Sequence, residues 1–253
     1  MSLHRFYLPP VSTRGNSLRL DGREAHHALH VLRLKPGDPV TVLDGAGGEF
    51  HCEVSSADRR TVELHVLDQT IHPPARCQFT LLQAIPKGKI LESIIEKATE
   101  LGVHRIVPLL TERVTARLDD DSVAQKGTKW QHVAIEASKQ CGAAWLPKVE
   151  APVALKEFLA RKEMFELALV GALQGDARHP QEFLREFESG QGRQARAVAV
   201  WIGPEGDFTL AELQAIRSAG AKPITLGKLV LRVETAAIYC LSFLHYELQS
   251  PRA

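Results

Sequence analysis

No run of apolar residues in this chain reaches the roughly 18 that a membrane-spanning helix requires, and no charged-then-apolar segment of the secretory kind opens it. Cysteine is scarce. Cys52, Cys77, Cys141 and Cys240 lie scattered, without the paired spacing of a zinc site or a disulfide framework, which reads as four reduced thiols in a cytoplasmic protein. An excess of one charge is missing too: a net charge of +1 announces no polyanionic partner, although affinity for phosphate depends on where cations cluster rather than on their sum. Seven of the eleven histidines precede residue 73, yet none has the supporting Cys or carboxylate arrangement a metal needs, so no metal is expected. Histidines can instead stack on bases or donate to phosphates. Also absent are the P-loop and a G-x-G-x-x-G opening a helix after a strand, the two commonest nucleotide fingerprints.

What the chain does have is length and pattern. Its 253 residues suffice for one large domain or two modest ones. Residues 1–72 read as all-β, with strand-like runs at Val40–Asp44, Glu49–Val54 and Thr61–Leu67, turns at Gly45–Gly48 and Ser55–Asp58, and one helix near Arg23–Leu32. Short strands so spaced suggest a small barrel. Ile71-His-Pro-Pro-Ala is a linker, because paired prolines resist both helix and sheet. From Gln78 the period changes to alternating strands and helices, which predicts an α/β domain with a mainly parallel sheet covered on both faces.

Two loops in that second half stand out. Ala197–Ile202 reads as a buried strand running into Gly203-Pro-Glu-Gly206, after which Thr209 and Glu212 form a capping box opening a helix. Ile224–Leu226 then meets Gly227, and an apolar stretch carries Arg232, Glu234 and Thr235 into a final helix at Glu234–Leu248. In an open α/β sheet, ligands bind at the carboxyl ends of strands.

Ile202-Gly-Pro-Glu-Gly followed by Leu226-Gly-x-x-x-Leu-Arg-x-Glu-Thr-Ala resembles the bacterial 16S rRNA uracil-N3 methyltransferases of the SPOUT (α/β-knot) superfamily. Arg5-Phe-Tyr7, the His26-His27-x-x-x-Val31-Leu32-Arg33 run with Gly37-Asp38, and Glu92–Gly102 agree with it in the same order. The resemblance implies a PUA-like, RNA-binding β-barrel at 1–72. It also implies a methyltransferase domain at 73–253 with a carboxy-terminal trefoil knot, S-adenosyl-L-methionine as donor, 16S rRNA or the small ribosomal subunit as partner, and a homodimer through the knot domain.

On that reading the donor lies against Leu169, Val170 and Gly171, against Ile202, Gly203, Glu205 and Gly206, and against Leu226, Gly227, Leu229 and Leu231. Arg232 stabilises charge on the uracil oxygens or clamps phosphate, Glu234 accepts the N3 proton or orients Arg232, and Thr235 is either catalytic or the cap of the last helix. Arg5, Tyr7, His27, Arg33, Lys35, Arg113, Arg117 and Gln140 are the expected RNA contacts. Lys87, Lys97 and Glu100 read as a solvated helix face. The last helix carries an apolar stripe (Ala236, Ala237, Ile238, Leu241, Leu244, Leu248) suited to an interface or to the core. Two residues depart from the family pattern: Asp207, where glycine is usual, threatens to narrow the donor pocket, and Ala143 replaces a common arginine. Two other readings stay open: methylation of a ribose 2′-oxygen or a guanine on the same fold, and a non-catalytic RNA-binding assembly factor.

Overall fold

A computed structural model describes residues 4–13, 15–113, 120–172 and 176–249, with only the backbone at 120–124. The chain divides into two compact units, residues 1–74 with 135–146, and residues 75–134 with 147–253.

The first unit is built on a five-stranded sheet of β1 (His4–Tyr7), β2 (Ser17–Leu20), β3 (Pro39–Leu43), β4 (Gly48–Ala57) and β5 (Val62–Ile71), in the order β1-β3-β4-β5-β2. Only β1 and β3 pair in parallel; the other neighbours are antiparallel. Alternate residues point to one face, where Phe6, Leu18, Leu20, Val40, Val42, Phe50, Val54 and Leu64 form the core. The small barrel expected from sequence is here a five-stranded sheet whose outer strands, β1 and β2, do not pair with each other among the described residues. Both edge strands are only four residues long, too short to show an alternating pattern by eye. The predicted helix is α1 (Gly22–His26) continued by a π-helical turn (His27–Leu32), and the expected turn at Ser55–Asp58 is mostly strand.

The second unit has a parallel sheet of β6 (Gln78–Ala84), β7 (Arg105–Leu110), β8 (Lys148–Val149), β9 (Val153–Ala154), β10 (Leu167–Gly171), β11 (Ala197–Ile202) and β12 (Lys222–Ile224). The order is β12-β10-β11-β6-β7-β8, with β9 also on β7. Between the strands run α2 (Ile90–Glu100), α3 (Asp120–Cys141, whose last residues belong to the first unit), α4 (Leu155–Ala160), α5 (Pro180–Gln191) and α6 (Leu210–Ser218); α7 (Val233–Leu248) follows β12. One sheet face carries Leu82, Ala84, Val107, Leu109, Val170 and Trp201 against Phe158 of α4 and Leu213 and Ile216 of α6. α2 and α7 pack on each other, and α7 also lies on β6 and β11.

α2 follows its apolar period: Leu91, Ile94, Ile95 and Ala98 are buried, each large side chain stabilising by about 1.5–3 kcal/mol. The stripe on α7 has the same use. Ala236, Ala237, Leu241, Leu244 and Leu248 are buried inside the unit, so it is core, while Tyr239 and Tyr246 are exposed. Among the described residues no helix is long and apolar enough to cross a membrane.

Candidate active site

Because β10, β11 and β12 are parallel neighbours, their carboxyl ends open on one edge of the sheet. Gly171 sits opposite Ile224 in the ladder. A Cβ placed on Gly171 would stand 3.6 Å from Ile202 Cδ1 and 3.8 Å from Leu226 Cδ1, so these three predicted donor contacts do meet. Leu169 and Leu226 also line a narrow apolar cleft with Val200, Ile224, Tyr239 and Leu244. Val170 does not join them: its side chain faces the opposite side of the sheet from Leu169 and lies fully buried with Trp201. Gly227 takes φ +111°, which only glycine adopts freely, and its N–H donates to Thr225 Oγ1 at 3.3 Å. From Lys228 to Leu231 no main-chain group bonds to another backbone group among the described residues. Leu229 is 79% exposed and Leu231 half-buried.

The loop after β11 is a tight turn in which Asp207 N–H donates to Pro204 O at 2.8 Å. A Cβ on Gly203 would lie 2.8 Å from Asp207 Oδ1 and 3.2 Å from Phe208 N, so any side chain there would crowd the turn. Asp207 itself has φ +61°, a backbone region that suits glycine and that Asp tolerates by bonding locally. Its Oδ1 accepts from Phe208 N–H at 2.7 Å. The carboxylate is thus turned back onto its own loop. Glu205 Oε1 accepts from Lys87 N–H at 2.8 Å, tying the loop to the segment after β6. Arg113, expected to extend an RNA surface, donates to Gly206 O and, at 3.5 Å, to Asp207 O; it is a strut beneath this loop. The capping box is present, with Glu212 Oε2 accepting from Thr209 N–H at 2.9 Å.

At the start of α7 the N-cap is Arg232, not Thr235, which occupies the third helical position. Arg232 is exposed and Glu234 half-buried, and the two form no ion pair among the described residues, so Glu234 does not orient Arg232 here. A cation at an N-cap is the wrong residue for stability. It offers no acceptor to the free N–H groups and sits at the positive end of the helix dipole.

In the first unit the structure commits Arg5 to the fold. Its Nη1 donates to the carbonyls of Lys139 (3.3 Å) and Gln140 (3.1 Å) at the end of α3, where a cation is electrostatically favoured. Arg5→Ala is expected to lower the stability of the protein by about 1–2 kcal/mol, read as a drop in the urea midpoint. An unchanged midpoint would mean that the helix end needs no such cap. Lys139 is nearly buried between Glu24 (2.9 Å) and Glu136 (3.0 Å). Tyr7 packs against Gly45, and burial together with the Asp44 charge raises its phenol pKa, while its backbone N–H donates to Glu24 Oε2 at 3.3 Å. His27 stands edge-on to Phe6 at 6.1 Å. Arg33, Lys35 and the Gln140 side chain remain exposed, and Arg117 lies outside the described residues.

One feature of the sheet edge has no signal in the sequence. Past the ends of β6 and β7 lies a cleft of about 430 Å³ whose walls include Lys87, Lys89, Lys126, Lys129, Arg113 and Glu205. Lys87 precedes α2 and faces this cleft, unlike the solvated helix face expected for it, whereas Lys97 and Glu100 do pair on the surface of α2 at 2.8 Å. Lys126 and Lys129 come from α3, some forty residues later in the chain.

Residues 73–245 match the family model of the RNA methyltransferase domain, and residues 20–67 match that of the RNA methyltransferase PUA domain. A Mycobacterium bovis protein named ribosomal RNA small subunit methyltransferase E is 32% identical over 93% of this chain and 88% of its own length. Its Bacillus subtilis namesake is 29% identical over 90% and 89%. The solved Neisseria gonorrhoeae protein of that name, bound to S-adenosyl methionine, superposes with a TM-score of 0.83 at 28% identity, covering 97% of this chain and 98% of that one. A Legionella pneumophila protein solved with bound cofactor SAM gives 0.88 at 31% identity, over 98% of each chain. The chain therefore belongs to the RNA methyltransferase family that includes the ribosomal RNA small subunit methyltransferase E proteins.

Proposed function

We propose that this chain methylates N3 of a specific uridine in 16S rRNA, using S-adenosyl-L-methionine. The observation that carries the reading is the meeting of Gly171, Ile202 and Leu226 beside main chain at 228–231 that is free of internal bonds. A flat apolar slot with unspent amides and carbonyls fits an adenine: the walls take its faces and the backbone reads its edge. A side chain at Gly171 would fill the space between Ile202 and Leu226. When bound, the donor supplies an electrophilic methyl group on a sulfonium.

What the protein contributes is position and electrostatics. Leu169, Ile202, Leu226 and Leu231 hold the donor, while Gly203 and Gly206, with Glu205 and Arg113, keep the loop after β11 in shape. Arg232, exposed at the edge and without an ion pair among the described residues, stabilises negative charge on the uracil oxygens as N3 loses its proton. Glu234, on the same helical turn, receives that proton. Thr235, exposed beside them, is a polar contact to the base.

The first unit serves as the RNA-binding module, with His27, Arg33 and Lys35 among its contacts. The second unit is the catalytic domain. β12 lies at the sheet edge beyond β10 while α7 returns to β6 and β11; a chain threaded on that return forms the trefoil knot. Tyr239 and Tyr246 of α7, with exposed Leu229 and Val230, are the apolar face for a second copy. The site of action is the cytoplasm, where rRNA is made.

The test is nucleoside mass spectrometry on unmethylated small-subunit rRNA and particles incubated with protein and donor. New 3-methyluridine supports the reading; a ribose-methylated nucleoside or a methylguanosine replaces it with another target atom. No product, with RNA still bound, makes the chain an assembly factor. Gly171→Val tests the donor slot separately. Donor affinity by calorimetry is expected to fall about tenfold or more, some 1.4 kcal/mol, with the fold retained. Unchanged affinity would move the donor elsewhere.

A further inference from the structure

The cleft past β6 and β7 is cationic in a way that internal pairing does not explain. Five cationic side chains line it (Lys87, Lys89, Arg113, Lys126 and Lys129) against two carboxylates, Glu92 and Glu205. Both carboxylates are already engaged, Glu92 by Lys129 Nζ at 2.6 Å and Glu205 by the backbone N–H of Lys87 at 2.8 Å. Arg113 is spent on Gly206 O. Lys87, Lys89 and Lys126 make no ion pair among the described residues. Three ammonium groups lining one concave space repel one another, and an anion between them relieves that repulsion.

The helix at its rim points the same way. α2 has eleven residues and begins at an N-cap, Lys89, that supplies no side-chain acceptor; Glu92 N–H donates to Lys89 O at 3.1 Å, while the N–H groups of Ile90 and Leu91 have no backbone partner among the described residues. Lys89 and Arg232 thus repeat one choice, a cation at an N-cap where an acceptor is the stabilising residue, on helices that begin at the same edge of the sheet. The cleft and the proposed donor slot flank the loop after β11, which lies between β10 on one side and β6 on the other. A strand whose base reaches the donor side would run its backbone past this loop.

We infer that the cleft seats a backbone phosphate of the RNA strand beside the target nucleotide, held by Lys87, Lys89, Lys126 and the open amino-terminus of α2. The inference rests on the rRNA methyltransferase reading. It adds a substrate-positioning site in the catalytic unit itself, apart from the first unit. A volume of about 430 Å³ is enough for a phosphate with its sugar, and the buried edge of Trp130 gives the space an apolar floor.

The experiment compares wild type with the triple variant Lys87→Ala/Lys89→Ala/Lys126→Ala, and with the corresponding triple Lys→Arg variant. The probe is a fluorescein-labelled fragment of small-subunit rRNA, titrated by anisotropy across a salt series. Wild-type methylation of the same fragment is measured first, so that failure of the enzymatic reading shows there and not in the binding data. The alanine variant is expected to bind RNA about tenfold more weakly at low salt. Its slope of log K against log salt should be shallower by about 0.7, for one single-strand phosphate no longer neutralised. The arginine variant is expected to keep the slope, and all three proteins to melt alike and bind S-adenosylmethionine alike. Equal slopes and affinities in wild type and alanine variant overturn the proposal. So does a loss of donor affinity with RNA binding intact, which would give the cleft to the carboxylate of the donor.

Discussion

Replacing Arg232 with serine is expected to lower kcat by about 10²-fold or more while leaving the melting temperature unchanged or slightly higher. The two halves of that expectation have separate grounds. Arg232 caps α7 with a residue that offers no acceptor, and its charge lies at the positive end of the dipole. Serine supplies the acceptor and removes the repulsion, a gain of about 0.5–1 kcal/mol. A residue kept against a local preference belongs to a site that needs it. Here the need is a guanidinium aimed at charge that develops on the uracil oxygens as N3 is deprotonated. Kinetics and calorimetric melting on the same preparations check both halves. A serine variant with normal turnover removes Arg232 from the site; one that melts several degrees lower makes it a structural residue. Glu234→Gln belongs in the same series, since loss of turnover with unchanged donor affinity marks a proton acceptor.

The parts of this molecule that were legible in sequence are those whose signal is local. α2 announces itself by the 3.6-residue spacing of Leu91, Ile94, Ile95 and Ala98, and α6 by Thr209 and Glu212 three apart. The strands of the parallel sheet are short apolar runs covered on both faces, and β11 spans the same residues, Ala197–Ile202, that the sequence marks as a buried strand. The loops at their carboxyl ends are visible through glycines: Gly203 sits where a Cβ would crowd Asp207 and Phe208, and Gly227 takes a positive backbone angle.

What failed to show was non-local. Nothing in Arg5 says that it will reach residues 139 and 140, and nothing in Arg113 says that it will brace Gly206. Both read as surface cations free for RNA because a sequence displays charge without displaying the partner that consumes it. The reverse error befell Lys87. A bland surface position in the sequence, it becomes part of a cationic cleft because the fold brings Lys126 to it. Edge strands β1 and β2 were missed for a simpler reason: four residues are too few to establish an alternation. Asp207 looked like an obstruction, yet backbone conformation decides where its carboxylate goes, and it goes to Phe208 N–H.

Glu212→Ala is expected to destabilise the protein by about 2–4 kcal/mol, the largest stability effect at this edge of the sheet. The side chain is 7% exposed, and both of its oxygens are used. Oε2 accepts from Thr209 N–H at 2.9 Å within the capping box, and Oε1 accepts from Glu112 N–H at 2.8 Å, just past the end of β7. One carboxylate thus fastens the beginning of α6 to the residue before Arg113, and Arg113 in turn holds the loop that Gly203 opens. Alanine leaves two backbone donors without their acceptor and lets Arg113 drift from Gly206. For a domain of this size the melting temperature should fall by roughly 6–12 °C. Donor affinity should fall with it even though Glu212 touches no donor. Glutamine keeps one oxygen acceptor and can serve one of the two donors, so Glu212→Gln should recover part of the stability. Thermal melting and donor calorimetry on the three proteins decide the matter. If alanine lowers the melting temperature and leaves donor affinity intact, the loop after β11 holds its shape without the brace, and the glycine turn alone builds that wall of the site.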